Sequence, residues 1–323
     1  MEKSKIPIPY LLYILFILII WGSYIVHIPL LAIAKEQIWV LVTMFFGAFI
    51  AGSSPEGSAA IAFPIFTLYL DIAPSVARNF AFAIQSVGMT AASIFIISRG
   101  IKIERNYIKF VSIGGLAGLV FGTYFIIPLV SPPLAKLLFV SLWLAFGIVL
   151  FLQNRNKKRI IYESLGDLQN KDILLLLIFG FIGGIISSIF GTGINIFTFC
   201  LMVTYYHMNE KVATSSSIII MTIETIAGFL IHRTLLTDFD NQAFEMWIVC
   251  IPMVIFMAPL GTYVLSKITR VQLSNLLYAI LVVQFIGAFL VIRPGIYLSL
   301  VCLLVVLAGV LMFRFIATLK PVR

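Results

Sequence analysis

The sequence predicts an all-α, polytopic membrane protein with two inverted-topology repeats and broken or re-entrant helices at its centre. Three observations carry that prediction. Of 323 residues, 61% are hydrophobic and only 11% are charged, with a mean hydropathy of +1.11. Apolar runs of roughly 20 residues, the length that crosses a bilayer, recur along the whole chain. The runs also fall into two sets with the same order of long and short members. Their length and continuity exclude the alternating ten-residue strands of a membrane barrel, so helices are expected throughout.

Residues 1–37 hold an N-terminal transmembrane helix. The apolar run from Pro9 to about Ile33 is longer than a signal-peptide core and lacks a convincing small-residue cleavage site, so it reads as a retained span. Residues 38–152 form the first transmembrane repeat: Ile38 to Ser54, a short apolar piece from Ser58 to Leu70, then Val76 to Ser98, Tyr107 to Val130 and Pro132 to Leu152. A polar cytoplasmic loop, 153–171, divides the chain. Residues 172–292 repeat the list as Asp172 to Gly191, the short Ile194 to His207, Val212 to Leu235, Phe244 to Lys267 and Val271 to Ile292. Residues 293–323 supply a closing helix, Gly295 to Phe315, and a tail. The expected total is about eight full spans plus two re-entrant hairpins. A short segment that crosses and one that folds back leave the same parity, so the sequence does not separate those cases.

Matching residues support the repeat. Ser53, Ser54, Gly57 and Ser58 recur as Ser187, Ser188, Gly191 and Thr192; Val76-Ala77 recurs as Val212-Ala213; Gly122-Thr123-Tyr124 recurs as Gly261-Thr262-Tyr263. The offset drifts slowly along the chain, as a duplication with small insertions requires. Charge then sets the direction. The net charge of +9 reflects topology rather than a nucleic-acid partner, because Lys and Arg collect in cytoplasmic loops. Arg99, Lys102, Arg105 and Lys109 mark one such loop, Arg155, Lys157, Lys158, Arg159 and Lys171 the central one, and Lys267 with Arg270 another. The acidic segment around Asp238, Asp240 and Glu245 suits the outside. Counting crossings, the first repeat starts outside and the second inside, with both termini cytoplasmic in the cell membrane. The repeats are therefore expected to be inverted.

Short, glycine-interrupted segments at matching positions of inverted repeats are the pattern of secondary transporters, whose broken helices meet at the midplane around the substrate. One interruption is "GAFIAGSSPEGSAAIAFP", Gly47 to Pro64; the other is "GGIISSIFGTGINIF", Gly183 to Phe197. Gly57 and Gly193 allow backbone geometry that a side chain would block, and Ser58 and Thr192 are expected to cap the short helices that follow. With Ser53, Ser54, Ser187, Ser188, Gly191 and Asn195 they form a candidate anion site between two helix N-termini. The bland reading is close packing of small residues.

These residues resemble the sulfite exporter TauE/SafE family, also called 4-toluene sulfonate uptake permeases. The likeness covers almost the whole chain. Each half opens with a glycine-rich break, "SSPEGSAAIAFP" or "GTGINIF", and continues through a short apolar segment into "VARNFAFAIQS" or "VATSSSIIIMT". The resemblance implies a multi-pass carrier of small sulfur-containing or organic anions such as sulfite, sulfonates or sulfoacetate, with no cofactor.

Helical spacing proposes the rest of the pocket. Asn79, Ser86 and Ser93 recur every seven residues and share a face, with Thr90 beside them and Gln85 one step off. An offset of 136 carries Asn79 and Ser86 onto Ser215 and Thr222. Hydroxyls and an amide at equivalent depths suit an oxyanion, and equally suit interhelical hydrogen bonding. Glu56 and Glu224 are the acids deepest in apolar sequence, where an ionised carboxylate is expensive unless paired or wet. Both are proton-coupling candidates; an ionised Glu56 would repel an anion beside it, so it is expected to be protonated when substrate binds. Arg78 is either an anion anchor or a side chain that snorkels to the interface. His27, His207 and His232 show no metal spacing and read as interfacial, and Cys200, Cys250 and Cys302 sit singly in apolar runs as packing or lipid-facing residues. An intramembrane enzyme lacks a mid-helix histidine to activate a serine, and a channel fits the paired breaks less well than alternating access. A proton-coupled permease for a neutral or non-sulfur solute stays open.

Overall fold

A computed structural model describes residues 6–154 and 161–318. The basic cluster Arg155, Lys157, Lys158 and Arg159 lies outside the described residues. Within them the chain is helical, and the one extended pairing is a bridge between Tyr162 and Met208.

The N-terminal run is two helices rather than one, which corrects the single span expected from Pro9 to Ile33. α1 spans Ile8–Ile25, and a separate α2, Leu30–Glu36, lies at 80° to α3, Ile38–Ser53. Pro29 causes the break: it has no N–H to donate and it biases Ile28 away from helical backbone, so a helix arriving from Ile25 stops before it. α4, Ala59–Pro64, widens into a π-turn over Ile65–Tyr69 directly after Pro64, whose missing N–H breaks the i→i−4 ladder there. α5 (Pro74–Ser98), α6 (Arg105–Phe121) and α7 (Pro132–Asn154) complete the first half. The second half is α8 (Asn170–Phe190), α9 (Ile194–Thr204), α10 (Glu210–Leu230), α11 (Asn241–Lys267) and α12 (Arg270–Ile292), followed by α13 (Ile296–Thr318). α8 and α12 both open on reciprocal capping boxes, Gln169 with Asp172 and Thr269 with Gln272. Among the described residues six helices are long and apolar enough to cross a membrane, or seven if the bent pair α2–α3 counts as one.

α5 and α10 pack on each other at the centre, with α6 on α8, α3 on α11 and α7 on α12. Matching α3–α7 with α8–α12 exchanges these pairs among themselves, so the packing accords with a repeat of five segments. The burial gradient identifies the centre: 78% of the apolar window of α5 is buried, against 6% for α1. Lipid supplies no hydrophobic drive between helices, so close backbone approach has to hold them. The α6–α8 seam does this with facing Gly114, Gly118, Gly180 and Gly184. A Cβ on Gly118 would lie 1.9 Å from the Phe181 carbonyl oxygen.

Candidate substrate site at the paired helix breaks

Both interruptions expected from the sequence are present and they meet. The first turns through Ser54–Ser58 between α3 and α4, and the second through Gly191–Gly193 between α8 and α9. Gly57 at φ 73° and Gly191 at φ 77° occupy the left-handed region that a side chain disfavours. Asn195 in the first turn of α9 ties the two together: its amide Nδ2 donates to the Pro55 carbonyl, and its Oδ1 accepts from the Thr192 hydroxyl at 3.3 Å. Gln85 fastens the second break to α5, donating from Nε2 to the carbonyls of Ala81 at 3.1 Å and Gly191 at 3.3 Å. Gly57 sits inside this ring. A Cβ built on it would lie 2.9 Å from Thr192 Oγ1, 3.0 Å from Met221 Sδ and 3.1 Å from Gln85 Oε1.

Several polar atoms around the ring have no partner among the described residues. Both carboxyl oxygens of Glu56, the hydroxyl of Ser58 and Gln85 Oε1 are buried and unbonded. Buried polar groups are nearly always satisfied, so unsatisfied ones on the first break and on the facing α5 make this place a candidate site.

The second acid is wired differently. Glu224 of α10 accepts at Oε2 from the Ser187 hydroxyl at 2.9 Å, and that hydroxyl oxygen accepts the Ile194 N–H at 2.9 Å. The Glu224 Oε1 atom has no partner among the described residues. Ser187 therefore caps α9, which corrects the expectation for Thr192; Ser58 likewise makes no capping bond to α4. The reason is local. The residue ahead of Ile194 is Gly193, without a side chain, so the first amide of α9 is met from the last turn of α8.

The face read from helical spacing divides. Arg78 and Asn79 point to the segment before α11 rather than to the breaks. Arg78 Nη2 lies 3.1 Å from Asp238 Oδ2, its Nε donates to Asn79 Oδ1 at 3.0 Å, and Asn79 Nδ2 donates to the Asp238 carbonyl at 2.8 Å. Arg78 does not snorkel: it is buried and paired. His232 is buried too, correcting the interfacial reading; its Nδ1 lies 2.8 Å from Asp238 Oδ1 and its ring stacks on Phe82. Ser86 bonds back to the Ala83 carbonyl at 2.8 Å, while Ser93 meets Thr222 across the α5–α10 contact at 2.8 Å. Ser53 and Ser188 bond back to Ile50 and Ile185 in their own helices, Ser54 Oγ accepts from the Glu56 amide at 3.3 Å, and Ser215 is buried on α10. All three cysteines are buried packing residues. Met221 is the lining residue that sequence reasoning misses. The offset of 136 that relates Asn79 to Ser215 also relates Gln85 to Met221, so the repeat itself held the signal.

The profile of the sulfite exporter TauE/SafE family matches residues 40–286. The chain belongs to that family. TauE/SafE proteins are membrane transporters for sulfite and related anions rather than enzymes, and the matched segment contains both breaks, α5 and α10. α1, α2 and α13 lie outside the match to the TauE/SafE profile. Comparison with curated proteins and with solved structures returns no match.

Proposed function

We propose that the protein is a secondary transporter in the cell membrane for a small sulfur-containing or organic anion of the sulfite, sulfonate or sulfoacetate class. The anion binds between the two helix breaks and moves together with a proton carried by Glu56. The observation that supports this reading best is the set of buried, unpartnered atoms of Glu56, Ser58 and Gln85 beside the Asn195–Pro55 tie.

The chemistry follows from donor and acceptor counts. The Ser58 hydroxyl is a donor with no protein acceptor among the described residues, and the amides of Asn195 and Ile196 follow Ile194 at the start of α9, where helix geometry provides no intrahelical acceptor. An ionised Glu56 adds two acceptors and a negative charge, which repel an anion. A protonated Glu56 adds one O–H donor in the same place. Proton and anion thereby favour each other's binding, which is what coupled transport needs. Glu224, held through Ser187 to the start of α9, is the second coupling group, positioned to sense the charge at that helix end. Inverted halves that rock about this site would alternate its access.

A second reading, a permease for a neutral solute, draws on the same Glu56 and Gln85 acceptors. Proteoliposomes loaded with sulfite decide between them. Glu56→Gln imitates the protonated acid, so it should keep sulfite-for-sulfite exchange and lose both pH dependence and accumulation driven by a proton gradient. A Glu56→Gln protein that still accumulates sulfite against its gradient when a proton gradient is imposed ends the proton role. Wild-type vesicles that neither exchange nor accumulate sulfite or sulfonates, yet take up a neutral solute, favour the second reading.

A further inference from the structure

α1 is fastened across α5 and α11 at three points. Tyr10 donates to the Ile255 carbonyl at 2.9 Å, Tyr13 to the Val87 carbonyl at 3.0 Å and the Trp21 indole to the Ile248 carbonyl at 2.7 Å. Around the last of these the helix stands off and leaves a cleft of about 250 Å³ whose walls include Ile20, Trp21, Val87, Phe229 and Trp247. Its lining is hydrocarbon and aromatic ring apart from one cation, Arg233, whose guanidinium carbon lies 6.0 Å from the centre of the Phe239 ring.

We propose that this cleft is a binding site for one anionic phospholipid, its acyl chain between α1 and α11 and its phosphate on Arg233. Two observations select that occupant. The outer face of α1 carries exposed Leu12, Leu15, Phe16 and Ile19, so the cleft opens among groups that face acyl chains. Arg233 is exposed and, among the described residues, forms no ion pair. Of the acids that follow it before α11, Asp238 holds Arg78 and His232, and Asp240 accepts the Ala243 amide at the start of α11. A guanidinium left over beside an apolar slot complements a phosphate attached to a hydrocarbon tail. α1, which lies outside the family match, closes the cleft against residues of α5, α10 and α11 that lie inside it.

The cleft carries its own reporters, Trp21 and Trp247. Trp39 is exposed and is removed as Trp39→Phe, while Trp143 is buried. Reconstituted in phosphatidylcholine nanodiscs, this variant should show saturable tryptophan quenching by phosphatidylglycerol with brominated acyl chains. The quenching should exceed that by brominated phosphatidylcholine at equal mole fraction. Arg233→Gln should weaken the apparent affinity roughly five-fold, the effect of about one surface cation on an anionic lipid, and Arg233→Lys should restore most of it. Arg233 is exposed, so folding is not at stake, and an unchanged size-exclusion profile verifies this. Equal quenching by the two lipids, or an Arg233→Gln protein that still prefers the glycerol lipid, overturns the proposal. Displacement of the brominated lipid by soluble glycerol 3-phosphate also overturns it, since the site would then take a free phosphate.

Discussion

Gly57 and Gly191 occupy equivalent positions in the two breaks, yet alanine should act differently at each. Their φ angles, 73° and 77°, are nearly the same, so the cost of placing a side chain in left-handed backbone, about 1–2 kcal/mol, cancels in the comparison. What remains is contact. A methyl on Gly57 meets side chains rather than backbone, Thr192 Oγ1 at 2.9 Å, Met221 Sδ at 3.0 Å and Gln85 Oε1 at 3.1 Å, and a shift of a few tenths of an ångström in these side chains makes room for it. A methyl on Gly191 meets the Arg78 carbonyl oxygen at 2.6 Å and Ala81 Cβ at 2.7 Å, and α5 backbone does not yield cheaply. Overpacking of that kind adds roughly 1–3 kcal/mol. Gly57→Ala should therefore lose about 1–2 kcal/mol, remain folded, and bind sulfite more weakly because Gln85 and Thr192 are displaced. Gly191→Ala should lose roughly 3 kcal/mol or more. Thermal unfolding in detergent, followed by fluorescence-detected size exclusion, ranks the two, and sulfite-induced thermal shift reads binding. Equal destabilisation of both variants, or an unaltered sulfite shift in Gly57→Ala, refutes the reasoning.

Asn195→Ala removes the tie between the breaks and strands the buried Pro55 carbonyl, so the unfolding midpoint should fall by the equivalent of about 1–3 kcal/mol and sulfite stabilisation should shrink; wild-type values for both would show that the breaks hold together without it. Gly118→Leu forces a side chain into the α6–α8 seam and should cost about 3 kcal/mol, whereas Gly22→Leu on α1, where a Cβ meets nothing within 4 Å, should be silent; comparable yields and midpoints for the pair would contradict the packing argument. Cysteines placed at the exposed positions Lys102 and Gln242 test the topology, because an impermeant thiol reagent applied to intact cells should label only Gln242→Cys. Labelling of Lys102→Cys from outside would reverse the orientation of both halves.

The class of protein and the position of both breaks are legible in the sequence because their causes are local. A span needs roughly 20 apolar residues wherever it goes, and a left-handed backbone turn needs glycine at that residue, as Gly57 and Gly191 show. The end of α1 was local too, at Pro29, but the length of the apolar run hides it. Capping of α9 shows where local reading stops. Thr192 stands in the right place by spacing, and the bond comes from Ser187, a residue of the preceding helix that reaches the Ile194 amide only once α8 and α9 are folded against each other. Arg78 and Asn79 make the same point over a longer distance. The period of α5 puts Asn79 on a shared face with Ser86 and Ser93, but Asp238, far along the chain, engages it together with Arg78. Periodicity states which residues share a face of a helix and carries no information about what that face meets. Tertiary packing alone brought Pro55 to Asn195 and Gln85 to Gly191, left Glu56 without a partner, and opened a cleft beneath α1, because each depends on helices distant in sequence being brought into contact.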